Sequence, residues 1–266
     1  MYNTRYKKAS SRISRRSRLR RIFNLFLKIT IPTALVVGLF FLLRADFLQV
    51  KNWQVVGAGA IPQESIKNTA SNFILGDYLF IIPKSNILFL NEGKLSSVLL
   101  SQFGRLQKAE VSKNYFSGDI IIKILERQAD FLWCSETQCF FMTKDGFVFE
   151  QTESSTTDKI IFYGLLTGNP LMKNFATAAK MKNYVIFIGV LKDAGFDVSS
   201  INIESLDRAT ASSNMGDIIF NPEETNLTAV AQNVILIINN TLTKKPSARF
   251  DYIDARFGNK VYYKLY

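Results

Sequence analysis

The longest apolar stretch of the chain runs from Ile22 to Leu43 and contains one charge, Lys28. A helix of this length rises roughly 33 Å, which is enough to cross the hydrocarbon core of a bilayer. The long side chain of Lys28 reaches the headgroups from about two turns inside the segment. The residues after Leu43 lack the small-x-small pattern of a signal-peptidase site. The pattern therefore predicts an uncleaved transmembrane helix over residues 22–43.

Beyond this helix, the hydrophobic periodicity predicts a small α/β module. A loosely alternating strand ends at Gly57, and a helix with apolar residues at i, i+4 and i+7 begins at Pro62. A second helix over 92–103 and two strands over 106–115 and 119–126 follow. Both faces of the last strand are apolar, which is typical of a strand covered on both sides. We expect helices on one face of a small sheet.

The remaining residues alternate in short runs, which predicts a β-rich domain. The expected strands cover 131–134, 139–143, 147–150, 160–163, 197–204, 215–221, 250–257 and 260–266. Two helices are expected, the longer over 173–194 and the other over 225–241. The predicted fold class is thus α+β. It combines one N-terminal transmembrane helix, an α/β module, and a β-rich domain with an extended, mostly antiparallel sheet and two helices.

The net charge of +11 is concentrated at the N-terminus. Residues 1–44 hold eleven basic and no acidic residues, whereas the rest of the chain holds 22 of each sign. Nine of the basic residues precede Ile22, so the positive-inside rule predicts a cytoplasmic tail over residues 1–21 and an extracytoplasmic bulk. Because the surplus charge adjoins the apolar helix, it indicates membrane topology rather than nucleic-acid binding.

The chain contains no histidine, which removes the commonest general base and the commonest metal ligand. No nucleophile motif is recognisable, so we predict no catalytic residue, metal site or cofactor. Cys134 and Cys139 bracket the turn of a predicted hairpin outside the membrane. Opposed cysteines in a hairpin approach disulfide distance, which makes this pair a disulfide candidate. Trp133 is expected to pack in the core.

Five segments carry a family likeness when they are taken in order. They are VKNWQVVGAGAIPQESI (50–66), GDYLFII (76–82), AEVSKNYFSGDIIIKILERQA (109–129), FLWC with TKDGFVF (131–149) and YIDARFGNKVYYK (252–264). Together they resemble the FtsQ/DivIB family of bacterial cell-division proteins, whose first extracytoplasmic module is a POTRA domain. Gln128 stands where this family commonly has proline, and the cysteine pair is not a family hallmark.

The resemblance implies a POTRA domain over residues 47–127 and an FtsQ/DivIB-type β domain over 128–266. It implies a bitopic scaffold at the septum of the bacterial plasma membrane, and not an enzyme. The expected partners are FtsB/DivIC-like and FtsL-like division proteins, bound by extracytoplasmic β-strand addition. No nucleic acid or small-molecule substrate is expected.

The terminal hairpin, whose turn signal is Gly258-Asn259, supplies the candidate partner-binding residues. The resemblance and the aromatic character of the hairpin indicate Arg256, Phe257, Val261, Tyr262 and Tyr263. The alternation of Ile253, Ala255 and Phe257 fits core packing equally well, so both interpretations of Phe257 stay open.

Two other functions fit parts of the pattern. A POTRA-containing protein of translocation or envelope assembly would need a long run of barrel strands, and the two helix candidates in the second half argue against that. A membrane-anchored enzyme would need a convergent catalytic set, which the sequence does not display. The division scaffold is therefore the favoured interpretation.

Overall fold

The computed structural model describes residues 11–78, 82–153, 158–258 and 260–266, with side chains from residue 19 onward. Residues 1–10 of the predicted tail, 79–81 of the GDYLFII segment and Asn259 of the predicted turn lie outside this description. The helices are α1 (Ser11–Leu43), α2 (Gln63–Phe73), α3 (Glu92–Gln102), α4 (Ala178–Asp193) and α5 (Leu227–Lys244). The first five strands are β1 (Asn52–Val56), β2 (Asp77–Tyr78), β3 (Ile82–Pro83), β4 (Leu106–Asn114) and β5 (Asp119–Glu126). The others are β6 (Phe131–Cys134), β7 (Cys139–Met142), β8 (Phe147–Thr152), β9 (Ile161–Gly164), β10 (Lys173–Asn174), β11 (Val198–Ile203), β12 (Ala209–Ser213), β13 (Gly216–Phe220), β14 (Phe250–Phe257) and β15 (Lys260–Leu265).

Helix α1 carries the apolar N-terminal stretch. Its apolar part, Leu19–Leu43, has 25 residues with a mean hydropathy of 2.2 and is not buried against the rest of the protein. It is long and apolar enough to cross a membrane, and no other helix among the described residues is. The described part of the helix extends N-terminal of Ile22 as far as Ser11, because arginine is a good helix former and residues 11–21 contain no glycine or proline.

The chain divides into two compact units, and the first holds the described residues up to Leu99 together with Ala109–Ile124. Its three-stranded sheet has the order β1-β5-β4, with β1 parallel to β5. Helices α2 and α3 each present an apolar stripe to a common core. The fully buried members of that core include Ile66, Ala70, Leu95, Leu99, Ile120 and Ile122. The predicted order of helices and strands in this unit is confirmed.

Strand β5 is covered on one face only, so the expectation that both its faces are covered is wrong. Ile120, Ile122 and Ile124 are buried, whereas Lys123 is exposed and Leu125 is 53% exposed. Side chains alternate between the two faces of a strand. The apolar stripes of α2 and α3 cover one of these faces, and the apolar residues of the other face stay accessible.

The second unit comprises Leu100–Lys108 and Leu125–Tyr266. Its ten strands form one mixed sheet in the order β10-β8-β7-β6-β9-β11-β12-β13-β14-β15. The pairs β6–β9, β9–β11 and β13–β14 are parallel, and the other six are antiparallel, so the sheet is mostly antiparallel. Helices α4 and α5 contact each other and contribute to one large core with the sheet.

Two segments of this unit differ from the prediction. Lys173 and Asn174 pair with β8 as strand β10 instead of starting a helix. Helix α4 begins five residues later, at Ala178, because the Thr177 side chain accepts a hydrogen bond from the backbone N–H of Lys180 and caps it. Strand β12 was not predicted, since its sequence ATASS lacks large apolar side chains. It belongs to the sheet interior, where its two alanines are fully buried.

Gly164, at the end of β9, fits only as glycine. Its φ is +86°, and an added Cβ would overlap the carbonyl oxygen of Ile203 on β11. We expect Gly164→Ala to lower the free energy of unfolding by about 3 kcal/mol, from backbone strain and overpacking together. Gly168→Ala is the matched control, because Gly168 has φ +70° but no atom within 4 Å of its Cβ position. It should cost about 1 kcal/mol in denaturant unfolding of the full chain in detergent. If the two substitutions lowered the free energy of unfolding equally, the overlap with the Ile203 carbonyl oxygen would be contradicted.

Candidate protein-binding edge

Strand β15 forms the long open edge of the ten-stranded sheet. It pairs with β14 on one side, with Ile253 opposite Tyr263 and Asp254 opposite Tyr262. No described strand pairs with its other side. An edge strand leaves a row of backbone N–H and C=O groups available to an added strand. The six residues of β15 extend about 20 Å, whereas the opposite edge strand, β10, has two residues.

The side chains of β15 alternate between the core and the opposite face of the sheet. Val261 and Leu265 are partly buried against the large core. Tyr263 points the same way, with its ring centroid 5.6 Å from that of the buried Phe250, and it remains 44% exposed. Tyr262 and Lys264 project from the other face. Partner-accessible surface on β15 is therefore aromatic on both faces.

Phe257 and Tyr262 form an exposed aromatic pair at the hairpin end. Their ring centroids are 5.5 Å apart in an edge-to-face arrangement, and each side chain is 54% exposed. The Arg256 guanidinium lies 5.3 Å from the Phe257 ring centroid. Aromatic residues and arginine are enriched in the cores of protein interfaces. Since Phe257 is exposed, the interpretation that it packs in the core with Ile253 and Ala255 is wrong.

Arg256 is held in place by Asp254 on the same strand. Its Nε and Nη2 atoms donate to the two carboxylate oxygens at 2.9 and 2.7 Å. Burial raises the pKa of the Asp254 carboxyl, but the hydrogen bonds from Arg256 outweigh this effect and hold the pKa below its ordinary value of 3.8. The hydrogen bonds to Asp254 in turn raise the pKa of the Arg256 guanidinium. The fork geometry presents the guanidinium beside Phe257 at a fixed position.

The Asp254–Arg256 pair should make stability depend on pH. Because the pKa of Asp254 is lowered in the folded state, its contribution is present above 3.8 and is lost as the pH falls below that value. We expect Asp254→Asn to lower the free energy of unfolding by about 2 kcal/mol at neutral pH, with a smaller difference in acid. Urea titrations at several pH values measure this. Asp251→Asn, which removes the exposed contact with Lys264, is the control and should change little. A difference that persists in acid would contradict the assignment.

A polar groove adjoins the hairpin on the face that carries Tyr262. It encloses about 660 Å³, and its lining includes Asn202, Thr210, Asp217, Tyr252 and Asp254. Within the part of the chain that the structure describes, no group of three or more His, Cys, Asp or Glu side chains is placed to hold a metal ion. Because its lining is mostly polar, the groove offers hydrogen-bonding groups beside the aromatic pair.

Cys134 and Cys139 lie directly opposite each other at the ends of β6 and β7. Their Sγ atoms are joined at 2.01 Å, with the Cα atoms 4.1 Å apart. The adjacent Trp133 is buried and donates its indole N–H to the Gly164 carbonyl oxygen at 3.0 Å, which confirms its packing role. The disulfide lies far along the sheet order from β15, so it belongs to a different part of the unit.

The structure brings four of the five predicted residues to the accessible surface of the hairpin. Arg256, Phe257, Tyr262 and Tyr263 are accessible, and Val261 contributes mainly to the core. Asp254 was missed, although its spacing of two residues from Arg256 places both side chains on one face of a strand. That spacing was the available signal.

The fold and the edge define a mixed α+β protein with one membrane-length apolar helix and a long open β edge. No protein-family model matches the chain. A comparison with curated proteins likewise gives no significant match.

Proposed function

We propose that this protein is a bitopic scaffold of bacterial cell division that binds FtsB/DivIC-like and FtsL-like proteins by β-strand addition at β15. The observation that carries the proposal is the six-residue open edge with the exposed Phe257–Tyr262 pair. A partner strand would hydrogen-bond to the free side of β15, and its alternate side chains would contact the aromatic rings. This role is that of a scaffold without catalytic residues or a cofactor.

The N-terminal helix supports the membrane part of the proposal. A predominantly apolar helical span of 25 residues with a basic N-terminal flank anchors the chain with its N-terminus in the cytoplasm. The residues that follow α1 then lie outside the plasma membrane. A scaffold with this topology meets the extracytoplasmic segments of other single-helix proteins in the same membrane.

The first unit supports the POTRA-like part of the proposal. Its main elements follow the order strand, helix, helix, strand, strand, with the short hairpin β2–β3 between the helices. Two of the segments that carry the FtsQ/DivIB resemblance, 50–66 and 76–82, belong to this unit. Among the described strands, β1 and β4 are the outer strands of the three-stranded sheet, and an outer strand is a second place where an extended segment can pair.

The location of the protein in dividing cells tests the proposal directly. A fluorescent protein fused to the cytoplasmic N-terminus, expressed at native level, should give a band at the division site. Depletion should give filamentous or unseparated cells. An even signal around the whole membrane, with normal septation after depletion, would leave the membrane topology standing and refute the division role.

A further inference from the structure

Exposed apolar side chains lie on three segments of the first unit near the end of α1. We call Phe47, Leu88, Phe89, Tyr115 and Phe116 the juxtamembrane set. Phe116 is fully exposed, and the others are 44–59% exposed. A group of large apolar side chains exposed together usually marks a surface that contacts a protein or a membrane.

Hydrogen bonds tie the first two segments to the last residue of α1. The carbonyl oxygen of Leu43 accepts from Asn86 Nδ2 at 2.7 Å and from Gln49 Nε2 at 3.3 Å. The backbone N–H of Ile87 donates to the Leu48 carbonyl at 2.8 Å. Phe47, Leu88 and Phe89 are therefore held close to the end of the apolar helix.

The third segment is the turn between β4 and β5. The Gly118 carbonyl accepts from the backbone N–H of Lys51 at 2.8 Å, two residues beyond Gln49. Since β1 and β5 are parallel, both strands start at this end of the sheet. Tyr115 and Phe116 precede β5 and therefore lie at that end. Val56 is the last residue of β1, so this exposed apolar residue lies at the opposite end of the sheet.

We propose that the juxtamembrane set inserts into the headgroup layer of the outer leaflet and so fixes the first unit on the membrane surface. The inference rests on the proposed span of α1. If Leu43 marks the end of the hydrocarbon core, Phe89 lies close to that boundary, because its backbone N–H donates to the Asn86 carbonyl oxygen at 3.1 Å. The headgroup layer is roughly 5–8 Å thick, so the Phe89 side chain is within its reach.

The chemistry of the set fits a lipid surface. Tyrosine and other aromatic residues concentrate at membrane interfaces, where an apolar ring enters the acyl boundary and polar atoms stay in water. Lys51 and Lys84 lie near these segments together with Asp46 and Asp119, so the charges beside the set are balanced. A bilayer is present at this place whenever α1 spans it, so this surface requires no additional protein partner.

Tryptophan scanning of the full-length protein in vesicles tests the proposal. The vesicles contain phosphatidylcholine and phosphatidylglycerol with bromine either near the acyl carbonyls or near mid-chain. Phe89→Trp and Phe116→Trp report on the juxtamembrane set, Val56→Trp is the matched exposed control, and Leu35→Trp marks the hydrocarbon core. The emission of each added tryptophan is obtained by subtracting the emission of the parent protein, which carries Trp53 and Trp133.

Bromine near the carbonyls should remove most of the added emission of Phe89→Trp and Phe116→Trp and leave that of Val56→Trp intact. Mid-chain bromine should instead quench Leu35→Trp. If Leu35→Trp is quenched and the two reporters are not, the span stands and this inference fails. Equal quenching of Val56→Trp would also overturn it. An unquenched Leu35→Trp would refute the span and with it the proposed membrane scaffold.

Discussion

Replacing Phe162 by alanine is expected to lower the free energy of unfolding of the second unit by about 4 kcal/mol. Phe162 lies on β9 between two parallel neighbours and is fully buried. Its ring centroid is 5.2 Å from that of Phe131, 5.3 Å from that of Phe175 and 6.2 Å from that of Tyr184. These neighbours belong to β6, to the segment before α4 and to α4, so no single one of them can move to fill the void.

The measurement is denaturant unfolding of the full chain in detergent, followed by the fluorescence of Trp133 in a Trp53→Phe background. This residue stands opposite Phe162 in the pairing of β6 with β9 and reports on the same unit. Leu206→Ala is the control within that unit, because Leu206 is exposed and its truncation should stay within about 0.5 kcal/mol. Phe162→Leu should give an intermediate loss. A loss below about 1 kcal/mol for Phe162→Ala would show that this core does not depend on the ring.

Local periodicity was sufficient for the elements with a strong pattern of their own. Strand β5 matches its predicted bounds, and α2 and α3 lie where the apolar spacing placed them. Strands β14 and β15 also follow from alternation and a glycine turn. Each of these signals lies within a few residues, so no knowledge of distant contacts was needed.

The remaining features depend on contacts that the local pattern does not contain. Ala209 and Ala211 form part of a strand only because β11 and β13 flank them. Lys173 and Asn174 pair with β8, and this distant pairing overrides the helical pattern that continues from α4. The position of β9 between β6 and β11 is likewise a long-range arrangement.

The candidate site was predictable to the level of the hairpin but not to that of each side chain. Alternation placed Phe257 on the face of Ile253 and Ala255. The pairing of β14 with β15, however, has an irregularity between Asp254 and Phe257, which breaks the simple alternation. Such irregularities turn a side chain to the other face, and Phe257 is accordingly exposed next to Tyr262. The sequence alone gave no sign of this shift.

Removing the aromatic pair should weaken the proposed binding of an FtsB/DivIC-like partner without unfolding the domain. Tyr262→Ala and Phe257→Ala are each expected to cost about 2 kcal/mol, or about 30-fold in affinity, as interface aromatic residues do. Both side chains are exposed, so the unfolding midpoint should not change. Tyr263→Ala is less informative, because its ring also packs against Phe250. Leu236→Ala, on the exposed side of α5, is the control and should bind normally.

Amide hydrogen exchange separates strand addition from binding through side chains alone. On its free side, β15 presents backbone N–H groups that exchange with solvent in the unbound protein. If a partner strand pairs there, these N–H groups within Lys260–Leu265 become hydrogen-bonded and their exchange slows. If the partner contacts only the aromatic rings, affinity falls in Tyr262→Ala while the exchange of β15 stays as in the free protein. Slowed exchange that persists in Tyr262→Ala at saturating partner would show that the backbone edge, and not the ring, defines the site.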